Sequence, residues 1–382
     1  MDDLLVMKFG GTSMGSASRM RVAAEICAEQ KKRRPVAIVV SAMSKITDLL
    51  LDTLRKAEAG DESGVDFNLH KLSKRHHETC AALLKDSARA EASAEIDSLI
   101  AGFRRIVHGV RFLRERPPRS VDAAVATGEM LSASLIAAYL ESSGVPARAV
   151  NAAAVIVTDA VFGNASPLMD ETRARAEAVL VPLLDQGILP VMTGFNGATA
   201  DGRETTLGRG GSDFSGSILA AVLDASEFWI WTDVDGIMSA DPRLVSDARV
   251  LDEVTYNEAA ELAYNGAKVL HPRTLAPLAQ RQIPVWSKPS FNLSHPGTRI
   301  VPVAPHLPGP RAVTSMANVA LISVEPASAS ITGARIMARV LDSLASADAE
   351  VLAFSSSSYR ESFCFLVRGE ELDAVLKNLE AS

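Results

Sequence analysis

The feature that most constrains this chain is a repeated unit: an apolar strand, a polar or glycine turn, then a helix, from residue 4 to about residue 300. LLVMKF runs into Gly10 and Gly11, a helical spacing covers Arg19 to Gln30, and PVAIVVSAM supplies a second strand. GILPVMTGFNG, EFWIWTDVDG and IPVWSKPS repeat the plan, and VDAAVATGEMLSASLIAAYLESSG reads as strand, turn and helix. Strands that are apolar throughout, alternating with helices, predict one large, mainly parallel α/β sheet covered on both faces, with its ligand at the carboxyl ends of the strands. Residues 45 to about 115 are charged and helical in pattern, a helical elaboration of the sheet.

A chain of 382 residues exceeds the usual size of a single core, so two domains are expected. VPVAPHLPGPR, with four prolines and a glycine, is a stiff connector. It places the boundaries at 1–300, a linker at 301–311 and a tail at 312–382. The tail alternates as strand, helix, strand, strand, helix, a ferredoxin-like order without a final strand.

A net charge of −7 excludes a general nucleic-acid binder, so any anionic ligand must meet local cations. The acidic start, MDDLLVMKFGG, lacks the basic region of a secretory signal, and no apolar run reads as membrane-spanning. The expected setting is the cytoplasm, with no membrane partner. Cys27, Cys80 and Cys364 lack zinc or redox spacing and read as reduced core thiols. His76 and His77, adjacent on a helix, face different sides and read as solvated surface.

Two loops carry the candidate chemistry. TTLGRGGSDFSGSILAAVL sets three glycines around Arg209 just before a helix. Amides freed by glycines, the helix dipole and a planar guanidinium suit a carboxylate or phosphate, but a glycine connector with a surface arginine fits this loop equally well. KFGGTS is a second glycine turn, with Lys8 before the glycines, and so is not a GxxxxGK[ST] phosphate loop. Two glycine loops with cations at one sheet edge suit a nucleoside triphosphate and a second anion.

Taken together and in order, KFGGTS, SAMSKITDLL, TGEMLSA, TTLGRGGSD, WTDVDGIMSADPR, AKVLHPRTL and SFNLSHPGT closely resemble the aspartate kinases of the amino-acid kinase superfamily, and the tail resembles a single ACT regulatory module. The resemblance implies phosphorylation of L-aspartate on its side-chain carboxylate by ATP with Mg²⁺, the metal being held by phosphates and water rather than by a protein cage. A kinase for another amino acid is the alternative within the same class, and an inactive amino-acid sensor the alternative outside it.

By the same resemblance, Lys8 neutralises the phosphoryl group in flight and Asp213 orients Lys8, while Gly10, Gly11 and Ser13 contact phosphate. Thr232, Asp233, Met238, Arg243 and Lys268 form the nucleotide side. Met238 stands where the family commonly has tyrosine. Arg209 grips the α-carboxylate and Glu129 the α-ammonium, and Ser41, Thr47, Phe195, Thr206 and Ser212 line the substrate pocket. Read locally, Asp213 and Glu129 are also ordinary first-turn helix acids and Phe195 a core aromatic. His271 reads as structural. The tail is expected to make a homodimer and to offer an amino-acid effector site near Ser330 to Gly333.

Overall fold

A computed structural model describes residues 3–267, 270–304, 309–325, 333–347, 349–357 and 362–381. The chain divides into two compact units, residues 1–263 with 269–312, and residues 264–268 with 313–382.

In the first unit β1 (Leu5–Phe9), α1 (Ala17–Lys31) and β2 (Val36–Val40) open the sheet. A helical stretch follows, α2 (Ile46–Ala59), α3 (Glu62–Leu83), α4 (Asp86–Leu113) and α5 (Pro118–Ser142). Next come β3 (Ala147–Val150), β4 (Val157–Thr158), α6 (Met169–Asp185), β5 (Leu189–Thr193), β6 (Asn196–Thr199) and β7 (Glu204–Thr206). The unit closes with α7 (Gly211–Val222), β8 (Glu227–Thr232), β9 (Glu253–Thr255), α8 (Tyr256–Tyr264), α9 (Pro272–Arg281), β10 (Val285–Pro289) and β11 (Thr298–Val301).

Eight strands form the main sheet in the order β3-β5-β2-β1-β8-β10-β11-β9. Every pairing is parallel except β10 with β11. Strand β1 lies centrally, and its alternating residues feed two cores. Leu5, Met7 and Phe9 pack with α1 and the helical stretch, and Val6 packs with α7. This burial on both faces is why LLVMKF is continuously apolar rather than alternating. The side sheet β4-β6-β7 flanks the loop that leads into α7.

Three local expectations are corrected. Residues 121–144 were expected to form a strand, a turn and a helix, but nearly all of this stretch lies within the single helix α5. Because α5 is buried on most sides, no polar face marks its period. It is also long and apolar enough to cross a membrane, contrary to the expectation that no such run exists, yet 72% of its most apolar window is buried inside the fold. His76 is not solvated surface. It is fully buried in α3, with Nδ1 at 2.8 Å from the Leu72 carbonyl. His271 caps α9, its ring nitrogen accepting from the Arg273 amide at 3.3 Å. Cys27 and Cys80 are buried, whereas Cys364 is half-buried.

The second unit is β12 (Val319–Val324), α10 (Gly333–Ser346), β13 (Ala353–Ser357), β14 (Ser362–Arg368) and α11 (Leu372–Ala381), in the expected order. Its antiparallel sheet runs β12-β14-β13 around Ile322, Val340, Leu344, Phe365, Val367 and Val375. Ser330 lies outside the described residues.

Candidate active site

The parallel strands β1, β2, β5 and β8 all end at one edge of the sheet, and the turns that follow them build the site. A cavity of about 890 Å³ opens there. It is lined by Lys8 and Gly11 from the end of β1, by Ser41, Lys45, Thr47 and Asp48 after β2, by Glu129 of α5, by Phe195 after β5, and by residues 208–213 at the start of α7.

Lys8 is only 8% exposed, and its Nζ lies 2.6 Å from Asp213 Oδ1. Close packing sets this contact. A Cβ on Gly216 would fall 2.6 Å from the Phe228 ring and 3.3 Å from Lys8 Cβ, so a glycine there lets α7 lie directly on β8 and β1. Asp213, in the first turn of the same helix, is thereby carried to the lysine. Gly210, at φ 71°, caps α7 in a left-handed conformation that a side chain would strain. The pair holds a cation at the strand end with its ammonium fixed in direction. A carboxylate near the helix N-terminus is in a favourable position in any case.

Glu129 sits in the interior of α5, not in a first turn, which removes the reading of it as an ordinary N-terminal acid. It is 3% exposed. The Ala42 amide donates to Oε1 at 3.3 Å, and Oε2 is buried without a partner among the described residues. Burial pushes its carboxyl up to about 8, against the smaller opposing pull of the Ala42 amide and the Lys8 charge. A buried carboxyl with an idle oxygen facing a cavity is prepared for a cation that arrives with a ligand.

Arg209 is exposed and lines the cavity, and its guanidinium makes no hydrogen bond or ion pair with a described residue. Ser41, Thr47, Phe195 and Ser212 also line it. Phe195 is held at φ 70° by hydrogen bonds from its amide to Ser215 Oγ and from the Leu207 amide to its carbonyl, both 2.9 Å. It is a strained wall residue rather than a plain core aromatic. Thr206 does not line the cavity. Its hydroxyl donates to Asp122 Oδ1 at 2.8 Å and its amide to Oδ2 at 2.9 Å. Asp122, which sequence reasoning missed, is buried and also accepts from the Gly163 amide, tying down the approach to the 208–211 turn.

The residues expected on the nucleotide side are more scattered. Thr232 follows Trp231, the register partner of Phe9, and so emerges beside Gly10, whose amide donates to the Trp231 carbonyl at 3.3 Å. Ser13 turns away from the cavity. It is buried, and its hydroxyl donates to Ser290 Oγ at 3.0 Å, while Ser290 in turn donates to the Thr232 carbonyl. Asp233 is exposed, and Met238 forms an isolated antiparallel bridge with Val250. Arg243 is engaged by Asp241 at 2.6 Å. Lys268 lies outside the described residues. Lys45 and Asp48 lie within SAMSKITDLL, where the motif assigns roles only to Ser41 and Thr47, yet both line the cavity, and Ser290 enters the surroundings through its hydrogen bond with Ser13.

Comparison with known proteins agrees with this architecture. Residues 3–286 match the amino acid kinase family. The chain is 35% identical over 391 residues to a bifunctional aspartokinase/homoserine dehydrogenase of Daucus carota, covering 98% of this chain and 41% of that protein. It is 34% identical over 324 residues to an aspartokinase of Chlamydia muridarum, covering 84% and 69%. Among solved structures it resembles E. coli aspartokinase III in complex with aspartate and ADP, with a TM-score of 0.82 and 31% identity, covering 96% of this chain and 79% of that one. The chain spans about two fifths of the length of the bifunctional relatives it matches. The family match over residues 3–286, the ordered motifs and the coverage of more than two thirds of an aspartokinase place this chain in the amino acid kinase family, among the aspartokinases.

Proposed function

We propose that this chain transfers the γ-phosphoryl group of ATP to the side-chain carboxylate of L-aspartate, giving 4-phospho-L-aspartate. The observation that carries the reading is the convergence on one cavity of a buried, ion-paired Lys8, a buried Glu129 with an idle oxygen, and an Arg209 without a partner among the described residues. An amino acid matches that set: Arg209 takes the α-carboxylate and Glu129 the α-ammonium. E. coli aspartokinase III, solved with aspartate and ADP, supports the choice of ligands.

The reaction needs no general base, since an aspartate side chain with an ordinary pKa near ~3.9 is already ionised at neutral pH. The protein supplies position and charge. Lys8 meets the charge of the transferring group, and Asp213 keeps it aimed there. Gly11 lines the cavity beside Lys8, and Gly10 precedes it in the same turn, a bare-backbone surface suited to phosphate oxygens. Among the described residues no cluster of three His, Cys, Asp or Glu side chains is preformed for a metal. Mg²⁺ is assigned to the nucleotide phosphates and water on the sequence resemblance. Thr232, Asp233, Met238, Arg243 and Lys268 are assigned to the nucleotide side on sequence resemblance.

We assign residues 1–300 to catalysis and 312–382 to an ACT-like module. Leu321, 69% exposed, shares the outer face of its sheet with Val319 and Leu366, an apolar face that supports pairing of two tails into a homodimer. An amino-acid effector at the tail accords with E. coli aspartokinase III, which has been solved with lysine. The cytoplasmic setting remains part of the proposal. Matched relatives include bacterial and chloroplastic proteins.

The test is ADP release by purified protein with Mg²⁺ and ATP across a panel of amino acids. Aspartate should be the productive acceptor, and Lys8→Ala should lower kcat far more than it weakens aspartate binding. Turnover of another amino acid but not aspartate would refute the substrate. Light scattering on the intact chain tests the dimer, and a monomer would refute it.

A further inference from the structure

Lys45 breaks two local rules at the edge of the cavity. Its backbone is left-handed, at φ 65° and ψ 8°, where α2 begins. A side chain there costs about 1 kcal/mol or more relative to glycine. A cation at a helix N-terminus also opposes the helix dipole. No side-chain contact with a described residue offsets these costs. The Lys45 carbonyl accepts from the Leu49 amide at 3.2 Å, but its side chain makes no capping bond, and no hydrogen bond or ion pair joins its ammonium to a described residue, including Asp48 one turn on. Its side chain lines the same cavity as Arg209 and Glu129.

The charges that line the cavity bear on what Lys45 can meet. The ionisable lining groups are Lys8, Lys45 and Arg209 against Asp48, Glu129 and Asp213. Lys8 and Asp213 satisfy each other. Asp48, exposed in the first turn of α2, already has the helix dipole. Two cations with no partner among the described residues and one buried carboxyl remain. An amino dicarboxylate presents the complement, two carboxylates and one ammonium. Arg209 and Glu129 meet the α groups, which leaves Lys45 facing the remaining carboxylate.

We propose that Lys45 is a specificity and positioning residue whose ammonium holds one oxygen of the acceptor's side-chain carboxylate, leaving the other free to attack. The assignment rests on aspartate being the acceptor. It explains how the site selects a dicarboxylic amino acid over one sharing only the α groups, and why a lysine stands where glycine would be unstrained.

Lys45→Gly gives a clean test, because it removes the ammonium and relieves the backbone at once. The measurements are KM for aspartate and for ATP, the inhibition constant of L-2-aminobutyrate, which keeps the α groups and lacks the side-chain carboxylate, and the thermal midpoint. The glycine variant should melt no lower than the wild type and raise the aspartate KM about tenfold or more, as for loss of a charged hydrogen bond. The aminobutyrate constant and the ATP KM should change by less than about twofold. Lys45→Arg should recover most of the aspartate affinity. Equal weakening of both amino acids would move Lys45 to the α-carboxylate, and an unchanged aspartate KM would make it a surface lysine. Either result overturns the proposal. A wild type that turns over another amino acid but not aspartate defeats the parent reading before any variant is made, and the Lys45 assignment falls with it.

Discussion

Glu129→Gln separates the two consequences of burying a carboxyl in α5. In the folded protein burial holds the Glu129 proton up to about 8, against an ordinary value of 4.5. The folded state therefore binds more protons than the unfolded chain between those values, and stability falls as pH rises through that window. At about 1.4 kcal/mol per tenfold in proton affinity, the cost is about 3 kcal/mol at neutral pH and approaches about 5 kcal/mol above pH 8. Glutamine keeps the shape and still accepts from the Ala42 amide, but it never ionises. The urea midpoint of the variant should thus match the wild type near pH 5 and exceed it increasingly toward pH 8, without aspartate present. The same charge should be indispensable to binding. An ammonium at the idle Oε2 stabilises the ionised form, so aspartate binding at neutral pH should release a proton, visible as a buffer-dependent calorimetric heat. The variant should lose both that release and most of its aspartate affinity. A stability gap that stays constant with pH, or binding without proton release, would refute the picture of a carboxyl held neutral until its ligand arrives.

Arg209→Lys should cost about 1 to 3 kcal/mol in kcat/KM for aspartate, because a point charge cannot reproduce a bidentate carboxylate grip. A rise in the ATP KM alone would place Arg209 on the nucleotide instead. Gly216→Ala puts a methyl group 2.6 Å from the Phe228 ring and should destabilise by about 1 to 3 kcal/mol while lowering kcat, as α7 shifts and carries Asp213 from Lys8. An unchanged melting temperature would show that α7 does not rest on β8 as described. Burial also lowers the imidazole of His76 to about 4 from an ordinary 6.5, with one ring nitrogen unpartnered among the described residues. Here the unfolded state binds the extra proton, so stability should fall by about 3 kcal/mol as pH drops from 6.5 to 4, and His76→Leu should abolish that share of the acid sensitivity. Denaturant titrations of both proteins across that range decide it.

Strand order along the chain, the two glycine turns and the tail's alternation were legible in the sequence because each rests on local chemistry. Continuous apolar runs, residues permitting tight turns and helix periodicity need no distant partner to be recognised. Periodicity failed where burial erased it, in α5, so the sequence split one helix into a strand and a helix and placed Glu129 in a first turn. It failed again where a polar side chain had two partners to choose from. Thr206 and Ser13 are hydroxyls in the right motifs, and folding turned one to Asp122 and the other to Ser290. Only the tertiary structure decided that Lys8 and Asp213 touch, that Lys45 lines the same cavity as Arg209 with no side-chain partner among the described residues, and that Glu129 is buried deeply enough to keep its proton. Those outcomes depend on the closeness of α7 to β8 and on the exclusion of water from a packed helix, quantities that arise between segments and that no single segment encodes.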